Sequence, residues 1–175
     1  MLVSTLRFVS LFLTALLTGT AFCQTVEGWG RSELVSEVWL PVQQHLYTGL
    51  EPVISALGGA ALIATAVVTA MVRHRPRTLA LNGVAVVCLA IMTVVWVSGL
   101  GPLGSAVLGW THETMPPYWP EYRNRWEWLE GARTALGMLA LGAQILSLMI
   151  DQRAVLEQEG ERVAGPMAEP AGVQA

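Results

Sequence analysis

"YRNRWEWLEGARTALGMLALG", residues 122–142, runs from a charged, tryptophan-rich head directly into an apolar helix. Stepping from Arg133 by three or four residues, as a helix requires, traces one face. It holds Tyr122, Trp126, Glu130, Arg133, Gly137, Ala140, Gln144, Ser147 and Asp151. That face is polar or small along its whole length. The other faces carry Leu136, Met138, Leu139, Leu146 and Met149. Hydrocarbon offers no partner to an amide or a charge, so the polar stripe must point into a bundle of helices. Gly137 and Ala140 within it let a second backbone come close.

The composition agrees with a bundle in a membrane. The chain has 175 residues, too few for two ordinary domains; 53% are hydrophobic and only 13% charged. Soluble domains carry about 25% charged residues. Crossing a bilayer takes about 20 mostly apolar residues. Four stretches meet that length, at residues 6–22, 53–72, 78–100 and 132–150. We therefore expect an all-α, integral membrane four-helix bundle over residues 1–150. Residues 151–175 contain "EQEGE" followed by Gly, Pro and Ala, cannot bury a core of their own, and read as a disordered cytoplasmic tail. The first stretch has a signal-peptide look, with Arg7 before an apolar core. It lacks an Ala-x-Ala site, and Phe22 stands before Cys23 where a lipoprotein signal needs a small residue, so it reads as a retained helix.

Arginine sets the expected orientation. All ten basic residues are Arg, and "RHRPR", residues 73–77, packs three of them between the second and third stretches. The positive-inside rule places this link, and with it both termini, in the cytoplasm of a multi-pass cell-membrane protein. The net charge of −3 gives no nucleic-acid footprint, and Cys23 and Cys88 make no disulfide framework.

The two long connections, residues 24–52 and 101–131, then face outward. In the first, Leu34, Val38, Val42 and Leu46 recur every four residues, a helical period that extends the second span outward as an amphipathic helix. Ser32 is its expected N-cap, and Pro41 and Pro52 are expected to kink or break it. Six of seven tryptophans, Trp29, Trp39, Trp110, Trp119, Trp126 and Trp128, fall in these connections or the helix starts beside them, and Trp96 ends the third span nearby. This predicts an extracytoplasmic amphipathic and aromatic cap, with the aromatics either a belt at the interface or a stacking pocket. The expected packing faces of the other spans are Ser10, Thr14 and Thr18 on the first, and Asn82, Thr93 and Trp96 on the third. The second offers Ala56, Ala60 and Ala64 beside a face with Glu51, Ser55, Gly58, Thr65 and Thr69.

Glu130 and Arg133 stand three residues apart at the mouth of the fourth span, close enough to pair on one helix face. An Arg at a span's centre costs about 2.5–3.5 kcal/mol to insert, less near the interface, and ionisable groups kept there are candidates for function. Two readings stay open: a structural ion pair, or an Arg that holds an anionic or phenolic group with Glu130 setting its charge. His45 and His112 lie on the same outer side, yet no ligand spacing among the histidines, cysteines and carboxylates predicts a metal, and no phosphate or dinucleotide loop predicts a cofactor.

The segment "YRNRWEWLEGARTALG" after an apolar third span resembles the C-terminal signature of a four-span membrane family. That family is of unknown function for the most part and includes the anthrone oxygenases of polyketide pathways. Its signature is a Trp, a few residues, a polar residue and an Arg three further on, matched here by Trp126, Glu130 and Arg133. "WLPVQQHLYTGLEP" is similar to the family's amphipathic entry to its second helix, and the resemblance covers roughly residues 8–150. The family usually has Asn where Glu130 stands, and an Asn-containing proline turn where this chain reads "VSGLGPLGS" around Pro102. The resemblance implies binding, and oxidation by molecular oxygen without a cofactor, of a small lipophilic aromatic molecule at the outer end of the bundle. Such chemistry needs a base for an acidic C–H and a cation for the resulting anion. Arg133 would steady the anion; Glu130, His112 or His45 would be the base. Trp126, Trp128, Tyr122 and Gln44 would line the ligand site. The rival expectation is a non-enzymatic structural or accessory subunit whose polar helix face packs a partner. The expected partners are membrane lipid and a small aromatic or phenolic ligand, a homo-oligomer being compatible with either reading.

Overall fold

The structure, a computed structural model, describes residues 2–164. They form helices α1 (Leu2–Arg31), α2 (Ser36–Met71), α3 (Pro76–Val95), α4 (Gly101–Leu108) and α5 (Trp119–Ala164), with a π-helical turn, Trp96–Leu100, joining α3 to α4. Among the described residues there is no strand. Four segments are long and apolar enough to cross a membrane: Leu2–Arg31, Thr48–Met71, Pro76–Leu108 and Trp119–Ala154. The third is α3, the π turn and α4 run together.

The helices alternate in direction and close into a ring. α5 packs on α1 and α3, and α2 packs on the same two from the other side. The core follows from this arrangement: Leu17 on α1, Ile54 and Ala61 on α2, Ala85, Leu89 and Met92 on α3, and Ala140 and Ala143 on α5 are all buried. Of the apolar residues on the other faces of α5, Met138, Leu139, Leu146 and Met149 are exposed on the outside of the bundle, whereas Leu136 packs against the core. A second, smaller cluster lies at the tryptophan-rich end. There Trp39, Leu40 and Val107 are buried, with Leu34, Trp110, Met115 and Trp119 packed against them.

Several local expectations change. α1 runs on to Arg31, so Ser32 is no N-cap; its hydroxyl donates to Trp29 O at 2.7 Å, closing the end of α1, and Val35 stands at the N-cap of α2. α2 passes through Pro41 and Pro52 unbroken. Each proline removes one backbone donor, and the packing of Trp39 and Leu40 below and of Ile54 above holds the flanking turns in line. The predicted apolar stripe turns the wrong way. Val38 and Leu46 are exposed, whereas Trp39, Leu40 and Gln43 are buried. Ala56 and Ala60 likewise face outward, and the packed face of α2 is Ile54, Ala61, Thr65 and Val68. The proline turn expected around Pro102 is helix, with Pro102 in the first turn of α4 directly after the π turn. Of the expected tail, residues 151–164 continue α5; residues 165–175 lie outside the described residues.

Candidate functional site

The polar stripe of α5 is buried over almost its full length. Trp126, Glu130, Arg133, Ala140, Gln144, Ser147 and Asp151 are each under 10% exposed, and Gly137 is buried with them. Its polar groups meet hydroxyls and amides of the other helices, as a low-dielectric interior demands. Gln144 Nε2 donates to Thr14 Oγ1 on α1 at 3.0 Å and to Thr65 Oγ1 on α2 at 3.1 Å. Thr65 spends its own proton on Ala61 O at 2.7 Å, so Ser10, 2.9 Å away, is the donor in their contact. Further along, Asn82 donates to Ser147 Oγ at 2.6 Å. Thr78 then donates to Asp151 Oδ1 at 2.8 Å, and the same carboxylate pairs with Arg7 and, at 3.0 Å, with Arg75. A column of polar contacts thus runs from the arginine-rich end to the middle of the bundle.

Glu130 and Arg133 lie beyond it, toward the tryptophan-rich end. Arg133 Nη1 donates to Glu130 Oε1 and Oε2 at 3.0 and 2.9 Å. Glu130 is 0% and Arg133 2% exposed, so the pair is fully inside rather than at the surface. The guanidinium also lies over the ring of Trp96, 4.8 Å from its centroid, a cation–π contact strengthened by the absence of water. Trp96 is fixed in turn by an indole N–H donated to Ser55 Oγ at 2.9 Å. Arg133 Nε has no hydrogen-bond partner among the described residues. Arg133 also lines a cavity of about 30 Å³, together with Ile54, Ser55, Gly58, Gly59, Thr93 and Trp96. A second cavity, of about 20 Å³, lies on the other side of Trp96 and Ile54, among Gln24, Arg31, Gln43, Glu51 and Trp126. Each has room for about one water.

Trp96 begins the π-helical turn. Such a turn carries one residue more than an α-helical one and often marks a functional segment inside a helix. Here it widens α3 opposite Arg133 and lets Gly99 accept Leu129 of α5, whose Cδ1 lies 3.0 Å from where a Gly99 Cβ would stand. No periodicity in "VWVSGLG" signals the turn.

The sequence-predicted site residues separate into two groups. Glu130, Arg133 and Trp126 come together in the interior. Tyr122 is half-buried and packs edge-on against Trp110, their centroids 4.9 Å apart. Gln44 donates to Val107 O and Trp110 O at 3.0 and 2.9 Å, tying α2 to the end of α4 rather than lining the cavities. Trp128 is 75% exposed and faces away from Arg133. His45 is exposed with Nδ1 2.9 Å from Pro41 O, and His112 is exposed in the connection before α5. Neither histidine lines the two cavities beside Trp96. Sequence reasoning passed over Trp96 as the partner of Arg133, and over Gln43, Gln24 and Arg31, three buried polar residues beside the second cavity. Arg31 Nη2 donates to Gln24 O at 2.8 Å. A basic residue seven positions after Gln24, on the same face as Thr14 and Thr18 carried two turns further, was the available signal.

Among the described residues no three His, Cys, Asp or Glu side chains gather as a metal site. The chain matches no family model, no curated protein and no solved structure.

Proposed function

We propose that this is a cell-membrane protein that binds a small lipophilic aromatic or phenolic molecule through Arg133, at the outer end of the bundle, with both termini in the cytoplasm. The observation that carries the reading is the state of Arg133: buried at 2% exposure, with Nε left without a partner beside a cavity. A purely structural ion pair is held in place most cheaply when all its donors are satisfied. A buried guanidinium with an unfilled donor, in a residue that also lines a cavity, suits an oxygen that comes and goes.

The site is closed around Trp96. Trp96 and Ile54 line both small cavities. A shift of the Trp96 ring, which is held by its hydrogen bond to Ser55 and its contact with Arg133, would join the two spaces. The π turn at the root of Trp96 gives that motion its hinge. In the narrower reading, which rests on the resemblance to the anthrone oxygenases, the bound molecule is an anthrone. Glu130 is then the base, since His45 and His112 are remote and exposed. Molecular oxygen supplies one atom to the new quinone carbonyl and leaves the other as water.

The rival reading is a structural or accessory subunit. Closure of both cavities to the size of a water favours it. The polar face of α5 is filled by α1, α2 and α3 of the same chain, so a partner would have to use another surface.

Native mass spectrometry of the wild type beside Arg133→Ala and Arg133→Lys, gently extracted from membranes, tests the proposal. A small molecule is expected on the wild type and absent from a still-folded Arg133→Ala. Bare protein in every sample, with the variants only less stable, overturns it in favour of the scaffold. Background rates of anthrone oxidation by the wild type would remove the oxygenase reading alone.

A further inference from the structure

A large cleft lies at the opposite end of the bundle. It has a volume of about 1020 Å³ and is formed by the start of α1, the link between α2 and α3, and the last turns of α5. That exceeds the size range of ordinary small-molecule sites. Two sets of side chains line it. Arg7, His74, Arg75 and Asp151 form its polar end, and Phe8 and Leu148 belong to a wall that is otherwise apolar.

The charges do not cancel. Among the described residues of the lining, Asp151 is the one carboxylate, and it is shared between Arg7 and Arg75 and accepts a third hydrogen bond from Thr78. Two guanidiniums against one carboxylate leave a net positive charge, to which His74 adds when protonated. Arg7 is held largely out of water, 14% of its side chain being exposed, and its Nε is buried without a partner. Arg75 is 58% exposed and free to reach outward. Phe8 is 68% exposed beside this charge, in a helix long enough to span the bilayer. A soluble anion would use the charge and leave the apolar wall bare; an alkyl chain would use the wall and leave the charge unanswered. In a bilayer, an open apolar cleft is filled by whatever amphiphile complements it. Basic pockets between membrane helices on the cytoplasmic side take anionic head groups for this reason.

We propose that this cleft is a binding site for one anionic phospholipid. Its phosphodiester sits at Arg7 and Arg75 with His74 beside it, and an acyl chain lies along Phe8 and Leu148. A zwitterionic lipid carries its own ammonium into the same place and is repelled. The site is independent of the one at Arg133, which lies at the other end of the bundle.

The test uses the full chain in nanodiscs of equal parts phosphatidylglycerol and phosphatidylcholine, with the retained lipid counted by native mass spectrometry after release. The wild type should keep one phosphatidylglycerol with at least about tenfold preference, about 1.4 kcal/mol. Arg7→Gln with Arg75→Gln should abolish the preference, and Arg73→Gln with Arg77→Gln, which removes equal charge from outside the cleft lining, should leave it. Leu148→Trp obstructs the apolar wall with every charge intact and should lower retention several-fold even if the arginine variant fails to fold. Equal retention of the two lipids overturns the proposal, as does equal loss in both arginine pairs. Displacement of the lipid by millimolar inorganic phosphate would do the same, by showing a site for a free anion.

Discussion

At the residue level the Glu130–Arg133 pair governs the tryptophan-rich half of the bundle. Removing one charge leaves the other buried without its counter-ion, which costs about 3–5 kcal/mol, whereas removing both at once forfeits little beyond their packing. Glu130→Leu and Arg133→Met should therefore each lower thermal stability in detergent strongly. Glu130→Leu combined with Arg133→Met should be far milder than the sum. Additive losses in that cycle would show that the two side chains act separately, against the paired geometry at 2.9–3.0 Å. The positions were legible because a charge on a polar helix face inside an apolar run has few places to go. Trp96 was not legible as the third member. Its contact with Arg133 depends on the rotation of α3 against α5, and a lone Trp near a span's end reads equally well as an interfacial anchor. Histidines misled for the opposite reason: His45 and His112 carry suitable chemistry, but sequence distance along a connection says nothing about which way the side chain turns.

At the level of elements, the α1–α5 crossing is the tightest point. A Cβ on Gly137 would lie 2.8 Å from Thr18 Oγ1 and 3.2 Å from Thr18 Cβ. Threonine is branched at that carbon and stiff about χ1, so the clash cannot be relieved by swinging a side-chain tip; the helices must part. Gly137→Ala should cost about 1–3 kcal/mol, the usual penalty of overpacking. Thr18→Ala in the same chain should restore most of it. A neutral Gly137→Ala would mean that the helices cross further apart than described. The stripe on α5 and the hydroxyls of α1 were readable from period alone, because their polar residues are scarce and evenly spaced. α2 was misread because its tryptophan-rich end offers more than one apolar stripe. Trp39, Leu40, Val42 and Leu46 offer several competing stripes, and the choice among them is made by α4 and the start of α5 packing on top, with Trp119 centred 5.3 Å from Trp39 and Arg123 stacked on Trp119.

For the whole molecule, the polar column and the ends it joins set the orientation question. The arginine-rich end carries Arg7, Arg73, Arg75 and Arg77 within the short α2–α3 link and the start of α1; the other end carries arginines mixed with glutamates, Arg123 and Arg125 among Glu121, Glu127 and Glu130. Moving a short loop across a membrane is opposed by its own Lys and Arg and little affected by its Asp and Glu, so the second end is the harder case and the first is decisive. Four helices joined by one tight link and two long connections must put the link on one side and both connections on the other. That inference needed only the lengths of the apolar runs, which is why the count of spans was legible while their extensions were not. Cys23 is exposed and Cys88 buried, so a Cys23→Ser chain gives a quiet background for labelling. In that background, His112→Cys should react fully with a membrane-impermeant maleimide on intact cells, and His74→Cys should react only after the membrane is opened. The reverse pattern would invert the protein, place the tryptophan-rich end and Arg133 toward the cytoplasm, and put the basic cleft in the outer leaflet, where anionic lipid would have to be supplied from that side.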